Sequence, residues 1–338
     1  MWGRALFGIA LLIAIGGAIA YLEGLIKFDA GIHAGSCVAD GEIALEKRSA
    51  LDERAVAFTQ AVLNQNVSQA YAMMTKEAQA SVPEGRFGPG VVALVRSSGP
   101  FEAPRITHTY FVRSTGSGPA ARMICGANNE WVSVEIKPGQ DQGHVVVSAK
   151  TRNNDWAFTV WLLPDESDWR VQYFHMAPST VVGLTPEMLL QRAGKERDSG
   201  HMFNAVMLYS GVHEITDFGP AFQLGIAQTL RDDFEKLKFP PELSGRPPFV
   251  WKLGSATYTV AQAGVIGVAQ KLGLIFMLPQ KSWAGNSEAD KTNRAFLSAF
   301  MAAHPDYSRS FSFLVARALK PDNSGGFGTV YENGKGFD

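Results

Sequence analysis

Histidine, cysteine and carboxylate positions are the first to weigh, because they decide which chemistries the chain can support. Seven histidines are scattered through 338 residues, with only two cysteines. His213 opens "HEITD", which has the first His and the Glu of a zinc-binding helix but carries Asp217 where the second His would stand. His201 lies twelve residues before His213, too far for both to share one helical turn. No CxxC, no Cys/His cluster, no GxSxG, no Walker loop and no dinucleotide fingerprint after a strand occurs, so neither a metal nor a cofactor is expected. With 31 basic and 32 acidic residues the net charge is −1. No basic excess or polybasic run points to nucleic acid. At 46% hydrophobic and 19% charged, the composition is that of an ordinary globular protein.

The two cysteines, Cys37 and Cys125, gain meaning from the N-terminal segment. Ala5 to Leu22 reads "ALFGIALLIAIGGAIAYL", 18 residues without a charge between Arg4 and Glu23. As a helix it would span about 27 Å, close to the hydrocarbon thickness of a bilayer. Its length favours a retained anchor over a cleavable signal, whose apolar region runs to roughly 7–15 residues. Ala18-Ile19-Ala20 nevertheless has the small-x-small form of a cleavage site, so removal after Ala20 stays open. Ala10, Ala14 and Ala18, and Gly16, Ala20 and Gly24, form small-residue stripes that let membrane helices approach closely. Arg4 and the amino terminus place the N-terminus in the cytoplasm, and the remainder is exported. The expected location is the bacterial inner membrane, crossed once, with the bulk in the periplasm. There an isolated cysteine pair reads as one disulfide or as two unpaired thiols.

The elements that would position any site follow an α+β pattern. Residues 23–49 read as a connector of mixed polarity. Leu51, Ala55, Phe58 and Val62 are spaced for one face of a helix ending near Asn64. Ser68 is expected to cap a second short helix, "VPEGRFGPG" to break it, and Val91–Arg96 to form a further helical turn. From Phe101 the texture turns to short β-branched and aromatic runs. The clearest hairpin pairs Trp156–Leu163 with Trp169–Met176. A junction at 177–188 leads to Thr185 as N-cap and Pro186 at the first helical position, with helix through about Thr216 split near Gly200. Residues 219–237 read as another helix. Two long strands (249–264 and 265–279), a helix over 288–303 capped by Asn286 or Ser287, and a strand within 305–321 complete a second α+β domain. The domain reading is therefore 1–22 anchor, 23–49 connector, 50–180 first domain and 185–338 second domain.

The stretch "AVAFTQAVLNQNVSQAYAMMTKEAQ" (55–79) and the closing strand "DWRVQYFHM" (168–176), with the meander between them, give the first domain an order that resembles the nuclear-transport-factor-2-like superfamily. The resemblance implies a cone of helices packed across a strongly curved antiparallel sheet. Members include ketosteroid isomerases, polyketide cyclases and non-catalytic envelope domains. An isomerase of this kind would use Asp or Glu as base and Tyr or His as donor to an enolate-like oxygen within the cone. The candidates are His108, Tyr110, Glu135, Tyr173 and His175. Alternation groups Trp169, Val171, Tyr173 and His175 on one strand face, and Gln172, Phe174 and Met176 on the other. An anchored domain of this type also occurs in the VirB8-like component of type IV secretion systems.

One motif remains. "NSGGFGTVYENG" (323–334) is similar to the protein-kinase glycine-rich loop, G-x-G-x-x-G-x-V. A kinase needs its lysine strand, HRD loop and DFG motif after that loop, and "VARALK" (315–320) precedes it. The run reads instead as turn chemistry between two strands, with Phe327, Thr329 and Tyr331 on one face. No nucleotide is expected. The function expected is non-catalytic binding or scaffolding by a membrane-anchored periplasmic protein whose partners are the inner membrane, through residues 5–22, and other envelope proteins. The alternatives are an exported small-ligand binder or isomerase-like enzyme, and a VirB8-like secretion component.

Overall fold

The computed structural model describes residues 35–118, 120–126, 131–166, 168–322 and 324–338, an α+β protein of two units. The expected anchor at 5–22 lies outside the described residues. Among those described, no helix is long and apolar enough to cross a membrane. The first unit runs to Ser179 and takes in Thr216–Thr229 again; the second holds Thr180–Ile215 and Leu230–Asp338.

In the first unit Leu51, Ala55, Phe58 and Val62 are buried along one stripe of α1 (Leu45–Leu63). The helix starts earlier than its apolar stripe, and Lys47 on the added turn pairs with Asp141 at 2.9 Å. Two short helices follow, α2 (Val67–Ala72) and α3 (Lys76–Ser81). Asn66, not Ser68, caps α2 by accepting from the Gln69 amide; the Ser68 hydroxyl donates to Glu84 instead. Helix α4 (Glu84–Ser98) runs through the expected break, with Pro83 at its N-cap and Pro89 inside. Phe87, Val91 and Val95 are buried along it. That burial offsets the one backbone bond the proline removes.

The strands are β1 (Gly35–Ala39), β2 (Arg105–Ser114), β3 (Ala121–Cys125), β4 (Val132–Ile136), β5 (Asp141–Lys150), β6 (Asp155–Asp165) and β7 (Asp168–Pro178). They form an antiparallel sheet ordered β1-β2-β5-β6-β7 and a smaller one ordered β3-β4-β8, where β8 is Phe222–Leu224. Residues 35–49 are thus part of the fold rather than a connector. β1 is short and weakly apolar, and it gains its conformation from pairing with β2. Register shifts leave Thr107 on β2 and Gln172 on β7 unpaired, bulges that bend a sheet. The outer edge of β7 is covered where Val171 exchanges backbone bonds with Met73 and Thr75, both 2.9 Å. One sheet face, with Phe111, Val145, Val147, Phe158, Val160 and Leu162, packs with α1 and α4 in a single apolar cluster. The opposite face, with Tyr110, Val112, Val146 and Ala157, packs on Cys125, Val132, Val134, Ile136 and Phe222. Cys37 of β1 and Cys125 of β3 are joined by a disulfide.

In the second unit α5 (Pro186–Asp198) and α6 (Met202–Thr216) are divided at Gly200, and the Thr185 hydroxyl accepts from the Met188 amide. The helix expected over 219–237 is reduced to α7 (Ile226–Phe234), because residues 222–224 pair with β4 in the first unit. The two long strands expected over 249–279 are four: β9 (Phe249–Leu253), β10 (Ala256–Val260), β11 (Gln262–Val268) and β12 (Lys271–Pro279). Ala269 and Gln270 both take positive φ, the tight two-residue turn that matches strand twist. Helix α8 (Asn286–Ala303) starts with Gly285 at its N-cap and no side-chain cap, so neither Asn286 nor Ser287 serves. It connects β12 to the parallel strand β13 (Phe313–Leu319), followed by β14 (Gly326–Glu332) and β15 (Gly336–Phe337). Trp251, Phe276, Phe296 and Phe300 meet at ring separations of 4.7–6.3 Å in the core. The glycine run at 325–328 forms the turn and first residues of β14, which pairs antiparallel with β13.

Candidate functional site

Cross-strand pairing brings four of the five candidate residues onto one face. Tyr110, His144, Trp161 and Tyr173 pair in succession across β2, β5, β6 and β7. The next row is His108, Val146, Thr159 and His175. Both rows face away from the helices: Tyr110 packs with the small sheet, Thr159 and His175 meet residues 217–219, and His108 is exposed. Glu135 is not among them: it lies on β4, where Val132, Val134 and Ile136 take the inward positions and its backbone accepts from the buried His144. The bulge at Gln172 also changes the expected grouping on β7. Val171 and Trp169 pack with Phe174 and Met176 on the helix side, while Tyr173 and His175 face the other way.

His144 is stacked on Trp161 with ring centroids 5.4 Å apart and was missed in the sequence, where nothing marks "GHVVV" as more than a strand. Burial pushes its pKa down to about 3 and leaves it neutral. Gln142 is fully buried and satisfied: Oε1 accepts from the Lys137 amide and Trp161 Nε1, and Nε2 donates to the Lys137 carbonyl. Burial also lowers the pKa of His175, against the opposing influence of Asp217. Gly219, at φ +84°, closes this layer. A Cβ there would lie 2.8 Å from both the His175 ring and the Tyr173 hydroxyl. The void left among His144, Thr159, Trp161, Tyr173 and Phe222 does not admit a water molecule. His108 stands apart, exposed, with Nδ1 3.2 Å from Asp40.

An open cleft of about 490 Å³ lies elsewhere in the first unit, where α1 and α4 end and the chain turns into β2. Gln60, Asn64, Gln65, Arg96, Phe101 and Glu102 line it. The Gly99 amide, at φ +96° just past α4, makes no capping bond, whereas the Asn64 amide at the end of α1 donates to the Gln60 and Val62 carbonyls. The sequence signal for this cleft was available in "TQAVLNQN" and "SSGPFEA": amide side chains at a helix end, and a Gly-Pro stop.

The "HEITD" segment lies at the end of α6, its His213, Glu214 and Ile215 in the second unit. Burial pushes the Glu214 carboxyl up to about 7, and its Oε1 lies 3.5 Å from where a Cβ on Gly264 would be. Among the described residues, no group of three or more His, Cys, Asp or Glu could hold a metal ion. His201 Nδ1 faces Glu196 at 3.0 Å, and Asn204 ties Glu196 to the Asp306 carbonyl. No protein-family profile matches the chain, and no curated protein or solved structure matches it.

Proposed function

We propose that this is a membrane-anchored binding or scaffold protein of the bacterial cell envelope, with both α+β units in the periplasm and no catalytic role of its own. The observation that carries the reading is the Cys37–Cys125 bond, which ties the edge of the large sheet to the small sheet that covers it. Structural disulfides persist in oxidising compartments. The apolar segment at 5–22 supplies the export route and the attachment. Four helices on one face of a bulged antiparallel sheet support the resemblance to the nuclear-transport-factor-2-like superfamily, many of whose envelope members bind rather than catalyse. An isomerase would need its polar groups around an accessible cavity. Here Tyr110 packs between two sheets and Gly219 closes over Tyr173 and His175, which favours binding over turnover.

Expressed with its N-terminal segment intact, the protein should fractionate with the inner membrane and be digested by protease added to spheroplasts. A non-reducing digest should release the Cys37 and Cys125 peptides as one species. Reduced, alkylatable thiols in cells, or protection from external protease, would sink the reading. Photo-crosslinkers at exposed positions should then capture envelope proteins.

A further inference from the structure

We infer that the cleft at the ends of α1 and α4 is a binding site for an extended peptide segment bearing a lysine or arginine, presented by a partner protein. The inference deepens the scaffold reading and rests on it only for the compartment in which the partner is met.

The volume of about 490 Å³ falls within the range of real ligand sites, and polar groups converge there on a small apolar floor. Gln60, Asn64 and Gln65 present side-chain amides, each offering donors and an acceptor. A peptide unit offers the same pair in complement, and an extended segment has those groups unsatisfied. Gln60 Nε2 holds Asn64 Oδ1 at 3.0 Å, which fixes both amides while the Gln60 oxygen and the Asn64 NH₂ make no bond among the described residues. Phe101 supplies the floor. Its ring packs edge-on against Trp156 and Phe158, at 5.8 and 6.0 Å, so the core holds it in place.

Charge selects among peptides. Helices α1 and α4 both end at the cleft, at Leu63 and Ser98. At α1 the Gln60, Ala61 and Val62 carbonyls already accept the Asn64, Asn66 and Gln65 amides, so the uncapped end of α4 supplies the main share, about half a negative charge. Glu102 and Arg96 offset one another, so the helix ends leave the cleft negative by about half a charge. The Ser97 and Ser98 hydroxyls both donate to the Leu94 carbonyl, and the missing capping bond at Gly99 leaves the carbonyls beyond it for an incoming N–H group. An ammonium or guanidinium side chain meets both conditions.

β2 starts at Arg105, just after the cleft, and ends at Ser114, which pairs with Gly35. Its ten residues span about 33 Å. Gly35 therefore lies at the end of β2 opposite the cleft.

The test uses the full chain in lipid nanodiscs and labelled, end-capped Ala-Ala-Lys-Ala-Ala, with counterparts carrying Glu or norleucine at the centre, and with chitotetraose as a saccharide probe. The lysine peptide should bind saturably, at least about tenfold tighter than the Glu peptide. Glu102→Lys should weaken it about tenfold and Arg96→Glu should tighten it about threefold, by charge alone. Both side chains are exposed, so thermal unfolding of the variants should match the parent. No saturable lysine-peptide binding, equal binding of the Glu peptide, indifference to both substitutions, or a preference for chitotetraose would each overturn the inference. Lysine-peptide binding by a protein found in the cytoplasm would leave the site standing and refute only its setting.

Discussion

Leu51 of α1 rests on Gly143 of β5 so closely that a Cβ on Gly143 would come within 2.3 Å of a Leu51 methyl. Leu51 is wholly buried, and this contact sets how near α1 lies to the sheet. Gly143→Ala should therefore destabilise the first unit by about 1–3 kcal/mol through overpacking. Leu51→Ala makes room for the new methyl, so the double variant should be less destabilised than the two single effects combined. Urea unfolding followed by tryptophan fluorescence measures all three; strict additivity would show that the two residues do not share this space.

The Cys37–Cys125 bond closes a loop across 88 residues of sequence. Replacing both cysteines with serine should cost about 2–5 kcal/mol, since long loops restrain the unfolded chain most. Chemical denaturation with and without reductant should shift the parent and leave the double variant unmoved. A parent insensitive to reductant would mean that the covalent tie contributes nothing beyond the noncovalent packing.

Acid should act on the two units in opposite senses. His144 falls from an ordinary value near 6.5 to about 3, and His175 is also lowered, so the folded first unit resists taking these protons. Their stabilising contribution is present above pH 6.5 and is lost as pH falls toward 3, by about 2 kcal/mol at pH 5 from His144 alone. Glu214, raised to about 7, works the other way. Its contribution is full below pH 4.5 and is lost as pH rises through 7. Hydrogen exchange at pH 5 and pH 8 should show β4 and β5 loosening in acid, and α6 and β11 loosening in base. Glu214→Gln should abolish the basic limb; its persistence in that variant would remove Glu214 from the account.

Asn293 of α8 fastens the C-terminal hairpin. Fully buried, it donates to the Phe327 carbonyl at 2.9 Å and to the Thr329 hydroxyl at 3.1 Å, while that hydroxyl donates to Asp290 at 2.7 Å. Asn293→Ala leaves the Phe327 carbonyl without this donor and should cost about 1–3 kcal/mol. The loss should appear as faster amide exchange in β14 ahead of β11. Uniform change across the second unit would assign Asn293 a general packing role instead.

Local chemistry made several elements readable. Thr185-Pro186 states where α5 begins, Gly200 where it stops, and the turn residues after Leu319 mark a hairpin rather than a phosphate loop. The hairpin of β6 and β7 was visible because both strands carry strong β-formers at matched spacing. What was not readable depends on distant partners. Three residues of β8 have no strand signal of their own and sit in an apolar run that suits a helix; pairing with β4 decides the matter. The Gln172 bulge, which divides Val171 from Tyr173, arises where β7 also pairs with the segment at 73–75. The candidate site shows the same limit. His108, Tyr110, Tyr173 and His175 could be chosen by residue type, but what covers them comes from distant segments: the small sheet over Tyr110, and Gly219 over Tyr173 and His175.

The return of residues 216–229 to the first unit has a practical consequence for anyone dividing the gene. The stretch 177–188 looks like a safe place to stop, but a fragment ending at 180 would lack β8. Val132, Ser133 and Val134 would lose their hydrogen-bonded neighbours and present a bare apolar strand edge, the geometry from which intermolecular pairing and precipitation begin. Soluble first unit should be recovered only when Ser179 is spliced to Thr216 and the chain is carried through to Thr229.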